Sequence, residues 1–252
     1  MGLTQKILLF TTALVVALVG ATLAFTTFQA DRLAQRTVRE GLLSTRQAWE
    51  TFQADRYNKL KLGVRVLAND PAIKAMVEAA DVATILDTLR ERGQDIKADF
   101  FMVTDPNGTV ITRSDRPTAQ GQDLSKDPLV MKPLEGEESA TIWRQEDRLF
   151  HAVAVPMQTG PDLKGVLIAG YGLNEVLAND IRKLTHSEIA YLVQGPPPLL
   201  AVSTLGNREG DLRAALSTPE LSSPAANSPP FPITLSGDRF MAVTVPLQAA
   251  TG

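Results

Sequence analysis

The hydrophobic and polar positions of this 252-residue chain change their period three times along its length. From Ile7 to Phe28 the stretch ILLFTTALVVALVGATLAFTTF carries no charge. As a helix, some twenty such residues rise about 30 Å, the depth of a hydrocarbon core. This predicts a transmembrane helix over 7–28 behind a short cytoplasmic N-terminus, 1–6. A cleaved signal peptide is the competing reading, but its apolar region usually runs only about 7 to 15 residues. From Ala30 onward the apolar or near-neutral residues recur at Val38, Leu42, Thr45, Trp49, Phe52, Leu60, Val64 and Leu67. Spacings of three, four and their sums predict a long stalk helix over 30–69, about 60 Å from end to end. Its near-heptad middle suits packing along its own domain, and equally suits pairing with the same helix of a second subunit as a homodimer. Asp70 and Pro71 read as the cap and first residue of a new helix, so two shorter helices are expected over 71–79 and 82–92, the second closed by Gly93.

At Phe100 the period drops from helical to strand-like. FFMVTDPNGTVITRS, Phe100 to Ser114, is two short apolar runs around Asp105-Pro106-Asn107-Gly108, a strong turn signal. Further on, FHAVAVPMQ (Phe150 to Gln158) is nearly repeated as FMAVTVPLQ (Phe240 to Gln248), ninety positions later. The same offset carries Phe100 onto AYLVQGPPPLLAVST, Ala190 to Thr204, again an apolar run, a turn and a second run. Two stretches that agree on one offset predict a duplicated module. Each copy reads as a strand hairpin, a polar excursion and a late strand ending in Val-Pro. In the first copy a second hairpin turns at Gln145, Glu146 and Asp147, and KGVLIAGYGL (Lys164 to Leu173) supplies a last strand. NEVLANDIRKLT is a helical bridge over 174–186. The second copy, 187–252, holds eight of the chain's 16 prolines between Pro196 and Pro232, so TPELSSPAANSPPFP is expected to be loop. No counterpart of KGVLIAGYGL follows before Gly252, which leaves that copy one strand short. An incomplete sheet with an open edge suggests a longer natural chain.

Composition narrows the chemistry. A formal net charge of −3 offers no electrostatic footprint for nucleic acid. With no cysteine, disulfide frameworks and thiolate metal sites are excluded. The two histidines, His151 and His186, have no partner at metal-ligand spacing, and no nucleophile and base pair is evident, so neither a catalytic residue, a metal nor a cofactor is expected. TDPNG lacks the further acidic positions of a calcium loop, and GPPPLL lacks the glycines and lysine of a phosphate loop.

The ordered set LANDPAIKAMV, FFMVTDPNGTVITRS, GQDLSKDPLV, SATIWRQEDRLFHAVAVPM and GVLIAGYGL resembles the double Cache sensor domains of bacterial transmembrane receptors. The resemblance covers about 67–173, with weaker cover to 252. It implies an α+β fold with an N-terminal transmembrane helix, a long stalk helix and two tandem PAS-like antiparallel-sheet lobes, the membrane-distal one over 70–173 and the membrane-proximal one over 187–252. It also implies extracytoplasmic sensing of a small molecule at the bacterial inner membrane, with the signal passed to a cyclase, diguanylate cyclase, histidine kinase or chemotaxis output. Arg32, Arg36, Arg39 and Arg46 follow the span, against the positive-inside rule, yet large domains cross largely regardless of charge. The family's amino-acid-binding pattern of Tyr, Arg and Trp is not evident in this sequence. A single-span anchored binding module without an output domain is the alternative.

A lobe of this kind encloses a pocket between its sheet and the polar excursion. A small anionic or zwitterionic ligand calls for a guanidinium, whose planar fork matches a carboxylate. Arg113, Arg116, Arg144 and Arg148 lie on or beside the strands that frame the pocket. Trp143 and Tyr171 offer an aromatic wall, Asp127 a partner for a ligand amine, and His151 a polar contact within a strand. Strand parity puts Trp143 and Arg144 on opposite faces. Arg113→Ala is expected to weaken binding with little change in melting temperature.

Overall fold

A computed structural model describes residues 49–145, 148–193, 199–218 and 229–245, together with positions 18, 22, 41, 42, 46, 47, 221 and 247. The transmembrane segment expected over 7–28, most of 30–48 and most of the proline-rich stretch lie outside the described residues. Among the described residues, no helix is long and apolar enough to cross a membrane.

The long helix α1 (49–68) buries the stripe that the spacing marked: Leu60, Val64 and Leu67 are inside, together with Tyr57 and Ala68. They pack on the sheet of the same lobe, so this part of the stalk is a core element rather than a free rod. Asp70 then accepts from the Ala72 amide at 2.8 Å and caps α2 (Pro71–Glu78), with Pro71 in the first turn where a missing N–H costs nothing. Asp81 does the same for α3 (Val82–Arg92), accepting from the Thr84 amide at 3.2 Å. Both helices turn an i, i+4 pair inward, Ile73 with Val77 and Ile85 with Leu89. At the close of α3 a Cβ on Gly93 would lie 2.5 Å from the Phe101 ring, so only glycine lets the chain leave the helix this close to the sheet.

Five antiparallel strands follow: β1 (Phe100–Thr104), β2 (Val110–Arg113), β3 (Ser139–Gln145), β4 (Arg148–Thr159) and β5 (Asp162–Gly172). They stand in the order β2-β1-β5-β4-β3. The last strand in sequence is therefore the middle strand in space, paired with β1 on one side and β4 on the other. Alternation along the strands sorts the side chains. Phe101, Val103, Val153, Val155 and Leu167 face α1 to α3, while Phe100, Met102, Phe150, Ala152 and Ile168 face the helix α4 (Pro128–Leu134). The TDPNG segment is a plain Asx-type turn, in which the Asp105 carboxylate accepts from the amides of Asn107 and Thr109.

Helix α5 (Glu175–Thr185), capped by Asn174, leads to two further hairpins, β6 (Ala190–Val193) with β7 (Leu199–Ser203) and β8 (Phe231–Leu235) with β9 (Asp238–Ala242), around helix α6 (Glu209–Ala215). The ninety-residue offset recurs in these elements: β1 and β6 begin at Phe100 and Ala190, β3 and β8 end at Gln145 and Leu235, and β4 and β9 begin at Arg148 and Asp238.

Candidate ligand-binding site

Arg113, at the end of β2, is 2% exposed and lies on the α4 face of the first sheet. Its guanidinium carbon stands 4.7 Å from the Phe100 ring centre, 5.1 Å from Trp143 and 5.9 Å from Phe150, so three aromatic faces cage one cation. Phe100 reaches the cage because the strand beside it carries Gly170, where a Cβ would meet the ring at 2.3 Å. The guanidinium already holds a carboxylate. Nε donates to Asp115 Oδ1 at 2.6 Å and Nη2 to Oδ2 at 3.1 Å, the two-pronged geometry that suits a carboxylate, while Nη1 donates to Gln145 Oε1 at 3.0 Å. Arg148 donates to the same Asp115 Oδ2 at 3.3 Å and lies 4.7 Å over Phe150, with its side chain 57% exposed. On the other side of the cage Trp143 Nε1 donates to Asp127 Oδ2 at 3.0 Å, while Asp127 Oδ1 accepts from the Leu129 amide and caps α4. The arrangement is a buried cation and an exposed one converging on a single carboxylate beside an aromatic wall. Its chemistry suits recognition of a small carboxylate, which would take the place Asp115 holds.

Of the eight residues singled out from sequence, the structure brings Arg113, Asp127, Trp143 and Arg148 together on this face. Arg116 stands next to them in sequence, half-buried at the head of the short turn Pro117–Ala119. His151 and Tyr171 go elsewhere. They are cross-strand neighbours on β4 and β5 and point to the α1 side of the sheet, where Tyr57 of α1 stacks on His151 at 4.7 Å and the Tyr171 hydroxyl donates to the carbonyl of Ile96, beyond α3, at 2.6 Å. Parity explains the split, since His151 adjoins Phe150, which faces the cage. Trp143 is buried and Arg144 exposed, as alternation requires. The expectation that Arg113 can be truncated without loss of stability fails on burial, because Ala would leave Asp115 and Gln145 facing a void lined by aromatic rings.

The family comparison agrees with this architecture: residues 35–221 match the model of the double Cache family described as a double sensory domain of two-component sensor kinases. The chain belongs to this family. Solved structures of similar fold come from other sensor domains, all at low identity. The sensor domain of the Vibrio cholerae histidine kinase DctB aligns with a TM-score of 0.53 and 15% identity over 75% of this chain and 79% of its own. The periplasmic domain of Vibrio cholerae LuxQ gives 0.52 and 14% over 79% and 94%. The sensory domain of the Campylobacter jejuni chemoreceptor Tlp3 gives 0.52 and 14% over 85% and 93%. No curated protein matches the sequence. In this double Cache domain, sequence reasoning missed Asp115, Gln145, Phe100 and Phe150. Asp115 was the one with a signal: it lies two residues beyond Arg113 in TRSD, where the strand ends and the chain can fold back.

Proposed function

We propose that this chain is the extracytoplasmic sensing region of a transmembrane receptor, and that its ligand is a small carboxylate, anionic or zwitterionic, read by Arg113 and Arg148 in the first lobe. The observation that carries the reading is the caged guanidinium of Arg113, which grips the tethered carboxylate of Asp115 in a two-pronged geometry with Arg148 on the same oxygen. A ligand carboxylate fits there by exchange, and Asp115, once displaced, is placed to hold a ligand amine. In this reading 7–28 anchors the chain in the bacterial inner membrane, and 70–173 and 187–252 are the distal and proximal lobes, joined through 174–186, on the periplasmic side. A homodimer forms through the stalk helix, whose outward face offers Leu62 and Val66, exposed and one turn apart.

Arg148→Ala tests the site with little effect on the fold, because that side chain is mostly solvated. Succinate and L-alanine serve as the anionic and zwitterionic probes in thermal-shift and calorimetric titrations. At least one is expected to raise the melting temperature saturably, and the variant to bind it about tenfold more weakly, the effect of one lost charge-assisted contact. No saturable shift with either probe, or equal affinity in the variant, overturns the carboxylate reading.

A further inference from the structure

The opposite face of the first sheet holds a second polar group of side chains. Between α1, the sheet and the second lobe, six polar atoms are buried without a hydrogen-bond partner among the described residues: Gln53 Nε2, Arg56 Nε, Tyr57 Oη, both ring nitrogens of His151, and Tyr191 Oη. Gln53, Arg56 and Tyr57 are i, i+3 and i+4 on α1 and so share one face of that helix. Arg56 lies 4.5 Å over the Tyr171 ring, and Tyr57 stacks on His151, which has no solvent exposure. Leaving both imidazole nitrogens unpaired in an apolar contact is costly, and a group kept at such a cost calls for an explanation.

We propose that His151 is a proton-binding site that couples the acidity of the surroundings to the docking of α1: when the imidazole takes up a proton, the part of the helix that carries Arg56 and Tyr57 moves off the sheet, while Leu60 to Ala68 stay in the core. Among the described residues, neither ring nitrogen has a hydrogen-bond partner to share an added charge. The titratable and charged groups around it are Arg56 and Tyr57 from α1 and Tyr171 from β5, with Lys59 acting on Tyr171 and with Tyr191 from β6 and Asp99 ahead of β1 acting on Arg56. On β3 its cross-strand partner is the apolar Ile142. Asp99 is the one carboxylate of this set, and its Oδ2 accepts from the Gly172 amide. Burial first and the neighbouring Arg56 second push the imidazole down to about 4 from its ordinary 6.5. The docked arrangement thus requires neutral His151, whereas an undocked, solvated His151 protonates at its ordinary value. Docking is therefore at full strength above pH 6.5 and weakens as pH falls from 6.5 toward 4. This inference rests on the sensory family and not on the carboxylate site, which lies on the other face of the sheet, so the two can fail separately.

The absence of cysteine in the full chain allows a clean distance measurement. Spin labels at Ala54→Cys, exposed on α1 within one turn of Tyr57, and Asp162→Cys at the start of β5 report helix docking in detergent micelles, with circular dichroism recorded on the same samples. Between pH 7.5 and 4.5 the labelled protein is expected to move to longer distances with its secondary structure retained, and His151→Phe, which keeps the stack on Tyr57 but takes no proton, to show no change. An unchanged distribution, the same shift in His151→Phe, or a shift that accompanies loss of secondary structure overturns the proposal. Should His151→Phe not fold, Arg56→Gln is followed by histidine ring-proton NMR. Its His151 midpoint is expected to rise toward 6.5, and an unmoved midpoint overturns the coupling.

Discussion

Among the described residues, the two lobes use the same hairpins and join them differently. In the first, β5 lies between β1 and β4 and pairs with both, so one buried strand joins the two hairpins into a five-stranded sheet. In the second, β6-β7 and β8-β9 sit at the corresponding sequence positions but form separate two-stranded sheets among the described residues. Side chains join them: Leu212 and Leu216 of the α6 region gather Leu200, Leu221 and Leu235, with Ile233 and Phe240 at the margin. Hairpins need only a turn and alternating side chains close by, whereas the middle strand closes a long loop before any pairing repays it. Among the described residues the local unit recurs, and no strand pairs with both hairpins of the second lobe. A backbone ladder fixes register along a whole strand; a leucine cluster fixes only proximity.

The strongest test of that contrast is Ile168→Ala, in the fully buried stretch of β5. Removing those methyls should cost about 3–4 kcal/mol and loosen both hairpins of the first lobe together in denaturant unfolding. If one hairpin keeps its amide protection while the other loses it, β5 does not unite them. Leu212→Ala is the counterpart, expected to cost about 2–3 kcal/mol and to speed amide exchange in β6 to β9 while leaving β1 to β5 protected. Equal loss in both lobes would show that they unfold as one body. The smallest effect belongs to Glu138, just ahead of β3, which accepts from Arg65 at 2.6 Å and pairs with Lys61 at 2.9 Å, tying the long helix to the sheet. The Arg65 hydrogen bonds, with a further contribution from Lys61, hold its carboxyl down at about 2 against an ordinary 4.5. A lowered value means the stabilisation is complete above pH 4.5 and is lost as pH falls toward 2. Glu138→Gln should therefore lower stability at pH 7 by no more than about 1 kcal/mol, the ceiling for a partly exposed ion pair. The difference from the parent protein should vanish near pH 2; one that persists there would mean the glutamate acts by packing.

Much of this was legible in the chain because its causes are local. Asp70-Pro71 and Gly93 mark helix ends through backbone chemistry at single residues, and the stripe Leu60, Val64 and Leu67 names the buried face of α1 whatever it packs on. The hairpin at Asp105 to Gly108 and the ninety-residue offset are likewise patterns of neighbours. The place of β5 was not legible, since sequence order puts it last and space puts it in the middle. The site divides the same way. Trp143 and Arg144 on opposite faces follows from alternation alone. That Phe150 meets the aromatic cage while His151 meets α1 depends on which face the helix covers, and the stripe on α1 is silent about that. The burial of Arg113 was hidden for another reason: an arginine enters a core when aromatic rings and a carboxylate converge on it from three strands and a loop, and no window of sequence contains them all.

In the proposed carboxylate reading, Asp115 gives the site a threshold. Tied two residues from Arg113, it competes for the guanidinium as an internal ligand at an effective concentration on the order of millimolar. A free carboxylate offering nothing beyond its two oxygens has to reach a comparable level before it displaces its tethered rival. A molecule that also engages the aromatic wall or gives Asp115 an amine crosses the bar sooner. A receptor built in this way would filter by chemical form and disregard background acids, its set point written into the sequence as the distance between an arginine and the aspartate that follows it.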